Sequence, residues 1–283
     1  MEFSQVYTLH RRVVRRFPRL PTLASGLHTD WQADLADFAQ LKRHNGGYTY
    51  LLVCVDTLSR QLFVEPVKSK QATHVVAAFE RIFQRSGYVP WKLMTDQGKE
   101  FTASAVQHYL TEKEVQHHCM YTSPQWHAGI AERANRSIKV ERLYRYFTHL
   151  GTKCWTGVVQ RVVSALNASP NTAIFGMRPI DVNFGNAERL RRQLVDKAAS
   201  AAAGMNTRAK RQSRLHVGDR VRIEKHKHVF QKGYLPRFTD EQFTIAEVRT
   251  TRNPLTYKLK DDSGEVLSGW FYAQDLIRSC AAL

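Results

Sequence analysis

The chain has 283 residues, with 42 Lys and Arg against 25 Asp and Glu, a net charge of +17. Hydrophobic residues make up 43% of it, enough for a large core and a second smaller one, which excludes wholesale disorder. No apolar run approaches the roughly 18 residues of a membrane span, and the first residues lack a secretory signal, so a soluble intracellular protein is expected.

Residues 1–29 read as an extended basic arm, broken by Pro18 and Pro21 and carrying Arg11, Arg12, Arg15 and Arg16. A strand-like stretch follows at Trp31–Phe38, then a turn at Asn45-Gly46-Gly47, an apolar strand at Tyr48–Val55 and a third strand at Gln61–Val67. Val75, Val76, Phe79, Ile82 and Phe83 recur at helical spacing over 71–85. Short strands at Trp91–Thr95 and Val115–Met120 flank a helix over 102–113, and 129–148 and 155–168 read as further helices. Strands that run in series and then alternate with helices suit a mixed ribonuclease H-like sheet with flanking helices, rather than a strictly alternating fold. Residues 188–214 are small or basic and read as a linker, helical in part. From 215 onward, alternation in Val217–Ile223, Phe243–Val248 and Thr256–Lys260, with turn signals between, predicts a small β-barrel. The domains expected are therefore an arm (1–29), a catalytic core (30–187), a linker (188–214) and a C-terminal module (215–283).

Positive charge is densest in the arm and in Arg189–Arg214, outside the expected core. Exposed basic segments beside a folded domain suit a polyanion such as DNA; the plainer reading is a solvated face or a nuclear-import signal. The four cysteines are scattered with no C-x-x-C pair, which speaks against a zinc knuckle or a disulfide framework. Cys54 reads as a buried thiol, Trp91, Trp155 and Phe175 as core, and His117 and His118 as structural.

Three carboxylates stand out by position: Asp34 within the first strand, Asp96 after a short strand, and Glu132 near the start of an amphipathic helix, with 35 residues between the last two. Cleaving a phosphodiester needs an activated oxygen nucleophile and a stabilised leaving oxygen. Two Mg²⁺ or Mn²⁺ ions about 3.5–4 Å apart supply both, and such hard cations take carboxylate oxygens. On a helical wheel Glu132, Asn135, Arg136 and Lys139 share about 100° of arc, a carboxylate beside groups suited to a DNA backbone. Taken alone, that helix is better read as a solvent face with Glu132–Arg136 pairing. Asp37 is expected in a structural or outer-shell role and Asp56 in a strand-end turn.

The segments Trp31-Gln-Ala-Asp34-Leu, Thr95-Asp96-Gln-Gly98 and Ser123-Pro-Gln-Trp-His-Ala-Gly-Ile-Ala-Glu132-Arg-Ala-Asn135-Arg together resemble the three motifs of the retroviral-type (DDE) integrase core. The resemblance covers 31 to about 185. It implies that Asp34, Asp96 and Glu132 are catalytic and hold two divalent metals. It also implies that Asn135, Arg136 and Lys139 face double-stranded DNA, that the chain forms homo-oligomers, and that it acts in the nucleus. Gln125 and His127, in the loop before the catalytic helix, are expected to touch DNA. More narrowly, Asn45-Gly-Gly-Tyr-Thr-Tyr-Leu-Leu52, Gly176-Met-Arg-Pro-Ile-Asp-Val-Asn183 and Gly233-Tyr-Leu-Pro-Arg-Phe-Thr239 are similar to integrases of Maverick/Polinton transposons, with LTR-retrotransposon integrases the nearest competitor. Gly233–Thr239, with Val217-Gly-Asp219 and Gly269-Trp-Phe-Tyr272, is similar to their SH3-like or chromo-like module, which implies DNA or chromatin binding. The family's His-His-Cys-Cys zinc set has no counterpart before Cys54. The alternatives are a ribonuclease H-like nuclease that hydrolyses without joining, and a decayed or domesticated integrase that only binds DNA or chromatin.

Overall fold

The computed structural model describes residues 8–10, 22–119, 129–209, 215–225, 236–250 and 254–279, with side chains left out over 201–209. The chain divides into two compact units. Of the described residues, the larger contains 22–119 and 129–196, and the smaller contains 8–10, 197–209, 215–225, 236–250 and 254–279.

The larger unit is built on β1 (Asp30–Asp37), β2 (Tyr50–Asp56), β3 (Leu62–Val67), β4 (Lys92–Thr95) and β5 (Gln116–Cys119). Their order is β3-β2-β1-β4-β5, with β1, β2 and β3 antiparallel and β4 and β5 parallel to β1. The helices are α1 (Ala72–Ser86), α2 (Lys99–Thr102), α3 (Ser104–Glu112), α4 (Gly129–Arg136), α5 (Tyr144–Leu150), α6 (Val159–Asn167) and α7 (Phe184–Ala209), the last belonging to this unit as far as Asp196. This is the mixed α/β sheet with flanking helices expected from the sequence. Residues 188–209 of the anticipated linker belong to α7.

Leu51–Val55 of β2 form an unbroken apolar run because both faces of the strand are covered. Leu51, Val53 and Val55 join Ala131, Ala134, Ile138, Leu143, Trp155 and Val159 on one side. Leu52 and Cys54 join Trp31, Ala33, Val75, Phe79, Ile82 and Leu110 on the other. Pro66 is tolerated because β3 is an edge strand, where a missing N–H costs no ladder bond. Residues 22–29, read with the arm on sequence grounds, pack here: Ala24 and Leu27 bury against Leu58, Ile174, Val182 and Leu190. Asp56 ends β2 as a buried turn residue, accepting the Ser59 and His28 backbone N–H groups. Two aromatic expectations fail. Trp155 is buried, but Trp91 and Phe175 are about half exposed, because each sits in a connecting segment outside the layered core. Lys92 covers the Trp91 ring at 4.4 Å.

α4 does not run on as a regular α-helix. Residues Ser137–Leu143 form a π-helical stretch before α5. The apolar positions give the reason. Ala131, Ala134 and Ile138 are spaced by three and four, but the next core residue is Leu143, five further on. A wider turn brings Leu143 rather than Glu141 or Arg142 to the core. Val140 and Tyr144 are exposed on the side away from this core.

In the smaller unit, β6 (Arg220–Ile223), β7 (Phe243–Arg249), β8 (Thr256–Lys260), β9 (Phe271–Tyr272) and β10 (Leu276–Arg278) pair in the order β10-β6-β7-β8-β9, all antiparallel. Val221, Ile223, Phe243, Ile245, Tyr257, Leu259 and Phe271 form its core. Among the described residues β9 and β10 are edges that do not pair, so the sheet is open rather than the closed barrel expected. Leu9 is buried, and its carbonyl accepts the Arg237 and Phe238 N–H groups.

Candidate functional site

Strand parity prepares the site. The odd residues of β1, Trp31 and Ala33, enter one core, which turns Gln32, Asp34 and Ala36 to the face that α4 covers. The parallel register pairs Gln32 with Met94. Two residues further along each strand direction come Asp34 and Asp96, near enough for the charge of Asp96 to act on Asp34. Glu132 comes from the first turn of α4, where the helix dipole favours a carboxylate.

Gln32, only 1% exposed, fixes that turn: its Oε1 accepts the N–H groups of Ile130 (3.1 Å) and Ala131 (3.3 Å). These are helix-start donors with no partner inside the helix. Asn135, one turn on from Glu132, donates through Nδ2 to Asp34 Oδ2 at 2.7 Å. The Leu35 N–H donates to Asp34 Oδ1 at 2.8 Å. Asp96 Oδ1 accepts the Gly98 N–H at 3.0 Å, closing a tight turn. A Cβ on Gly98 would stand 2.8 Å from Glu100 Cδ and 3.0 Å from Asp96 Oδ1, so an added methyl would displace the ends of those two side chains. Lys70 approaches the same region, bonded to Glu100 at 2.6 Å.

The electrostatics record the convergence. Burial pushes the Asp34 carboxyl above its ordinary pKa, and the negative charges of Asp96 and Glu132 push it the same way, against the Leu35 N–H and Lys70. Among the described residues no three His, Cys, Asp or Glu side chains close into a ready-made cage. The two facts agree, because charge acts over several ångströms whereas Mg²⁺ coordination requires about 2.1 Å. The residues fit a divalent cation. The donors are all carboxylate oxygens, the central one is strained by its neighbours' charge, and the buried Asn135 Oδ1 beside it has no protein partner.

The other expected contacts divide. Arg136 lines an open cleft with Gly129, Glu132, Arg133 and Glu141. Lys139 instead donates to the Asp37 carbonyl at 2.6 Å and covers the Phe38 ring, tying the helix to the end of β1. Asp37 itself closes a turn through the Ala39 N–H. Gln125, His127, Arg11, Arg12, Arg15 and Arg16 lie outside the described residues. Sequence reasoning missed Gln32. Its one signal was a polar side chain between two apolar neighbours, Trp31 and Ala33.

Three comparisons bear on this arrangement. Residues 26–122 match the integrase core domain family. A transposon-derived protein of Caenorhabditis elegans is 34% identical over 225 residues, 80% of this chain and 71% of the worm protein. The Pol polyprotein of feline endogenous virus ECE1 is 34% identical over 153 residues, 53% of this chain and 14% of the polyprotein. A chain of the simian T-cell lymphotropic virus intasome superposes with a TM-score of 0.58 at 16% identity, covering 95% of this chain and 84% of that one, a likeness of fold. The mixed sheet and the family match together define the class as a polynucleotidyl-transferase type of core. Within it, the chain belongs to the retroviral-type integrase superfamily.

Proposed function

We propose that this chain is the integrase of a transposable element, catalysing divalent-metal-dependent 3′-end processing and strand transfer of element DNA into target DNA. The observation that carries the reading is the convergence of Asp34, Asp96 and Glu132 from three separate elements, felt as repulsion at Asp34.

Asp34, Asp96 and Glu132 would hold Mg²⁺ or Mn²⁺. When bound, such a pair of ions supplies an activated oxygen nucleophile and stabilises the leaving oxygen. The chain's own residues set the stage. Asn135 orients the Asp34 carboxylate, Gln32 anchors the turn that presents Glu132, and the Gly98 turn aims Asp96. Arg133 and Arg136, exposed beside Glu132, take the phosphates of double-stranded DNA. In the first reaction water attacks near the 3′ end and a short fragment leaves. In the second the freed 3′-hydroxyl oxygen bonds to a target phosphorus, while that phosphorus loses its bond to the target's own 3′ oxygen.

In the same reading, Gln125, His127 and the arm residues Arg11, Arg12, Arg15 and Arg16 add DNA contacts. The smaller unit acts as an SH3-like or chromo-like module for DNA or chromatin. The enzyme works as a homo-oligomer in the nucleus, and the element is of Maverick/Polinton type. A strand-transfer assay with labelled duplex ends and Mg²⁺ or Mn²⁺ tests the chemistry. Branched donor–target product is expected, lost in Asp34→Asn, Asp96→Asn and Glu132→Gln. Undiminished joining by these variants refutes the assignment. Cleavage without branched product identifies a nuclease, and salt-sensitive DNA binding without cleavage identifies a decayed enzyme.

A further inference from the structure

One run of hydrogen bonds ends on the backbone of Asp96 and begins well away from it, at Gln107 on α3. Gln107 Nε2 lies 2.7 Å from the Phe101 carbonyl and 2.6 Å from His117 Nδ1. A carbonyl admits only a donor, which fixes the orientation of the Gln107 amide. The same nitrogen faces His117 Nδ1, so Nδ1 must accept, and the ring carries its proton on Nε2. Nε2 is 2.9 Å from Thr95 Oγ1, and the Thr95 hydroxyl in turn donates to the Asp96 carbonyl at 2.8 Å. Cys119 Sγ also lies 4.0 Å from Nδ1 and 3.9 Å from Nε2, longer contacts of a weak partner, and the short bonds run in one direction from Gln107 to the Asp96 carbonyl.

The position of this run gives it a purpose. Among the described residues the last pair of the β4–β5 ladder is Thr95 with Cys119, and the peptide that follows Thr95 carries the Asp96 carbonyl that the hydroxyl holds. Thr95 is fully buried and cannot exchange its partner for water. His117 is held below the usual histidine pKa by burial and by neighbouring His118, which keeps the ring neutral in the form the run requires.

We propose that His117 is a positioning residue for Asp96, acting through Thr95 to lock the peptide that aims the carboxylate toward Asp34. The inference rests on the integrase reading for its consequence, but the locking itself does not.

The test compares His117→Ala, His117→Gln, Thr95→Val and the Thr95→Val/His117→Ala double variant. Glutamine restores a donor at the Nε2 position; valine keeps the shape of threonine without its hydroxyl. Strand transfer and Mn²⁺ affinity measured by calorimetry without DNA are both expected to fall on the order of tenfold in His117→Ala and in Thr95→Val. His117→Gln recovers most of the loss, and the double variant is no worse than the poorer single one, because both cut the same run. Nitrogen-15 spectra of the parent show His117 as the neutral Nε2–H tautomer, and the Asp96 and Gln97 amide signals move in Thr95→Val. A folded Thr95→Val with parental Mn²⁺ affinity and unmoved signals overturns the proposal, as does an Nδ1–H tautomer or additive losses. A parent that neither binds Mn²⁺ nor joins DNA sinks the integrase reading instead, and the tautomer and amide signals still judge the locking.

Discussion

Replacing Gln32 with leucine isolates what one buried amide does for the site. The side chain fills nearly the same volume, so packing against Ala131 and β2 changes little. The Ile130 and Ala131 N–H groups, however, lose their acceptor, the second at a fully buried position and the first at a half-buried one. An unsatisfied buried donor costs roughly 1–3 kcal/mol, and part of the Ile130 loss is recovered by fraying of the helix start. The expected loss is about 2–4 kcal/mol, seen as a lower urea midpoint and a melting temperature reduced by at least about 4 °C. Fraying would swing Glu132 away from Asp34, so joining falls further than stability alone accounts for. Gln32→Glu keeps an acceptor beside the positive end of the helix and should stay closer to the parent in stability. A Gln32→Leu variant within about 0.5 kcal/mol of the parent would refute the claim that this contact anchors α4.

Three further outcomes follow from the same coordinates. Gly98→Ala forces a Cβ to within 2.8 Å of Glu100 and 3.0 Å of the Asp96 carboxylate; strand transfer should drop at least about tenfold while the melting temperature moves little, and unchanged joining would contradict the tight turn. Asn45 is buried and its side chain bonds the Leu41 and Lys153 carbonyls and the Trp155 and Thr156 N–H groups; Asn45→Ala should cost about 2–4 kcal/mol in urea unfolding. The lowered pKa of His117 means that below about pH 6.5 the unfolded chain binds a proton that the folded chain refuses, so its contribution is full above that pH and lost as pH falls. Urea midpoints at pH 7.5 and 5.5 should therefore differ less in His117→Gln than in the parent, and an equal difference would exclude His117 as a source.

The sequence by itself determined the elements and the candidate carboxylates. β2 was legible because a strand covered on both faces carries an unbroken apolar run, here Leu51–Val55. α1 was legible because Val75, Phe79 and Ile82 repeat at helical spacing. Asp34, Asp96 and Glu132 were legible through their local motifs and the interval between the last two. What tertiary structure decided depends on partners distant in the chain. Asn135 lies 101 residues from the carboxylate it orients, and Gln32 lies 98 from the amide it caps. Lys139, read as free to meet DNA, is taken up by the Asp37 carbonyl. The π-helical turn arises because Leu143 is needed in a core formed by other elements, and a regular wheel drawn from the helix alone has no knowledge of that core. Periodicity reports which face of an element is apolar. Only the folded chain settles which polar groups that face meets once it is buried.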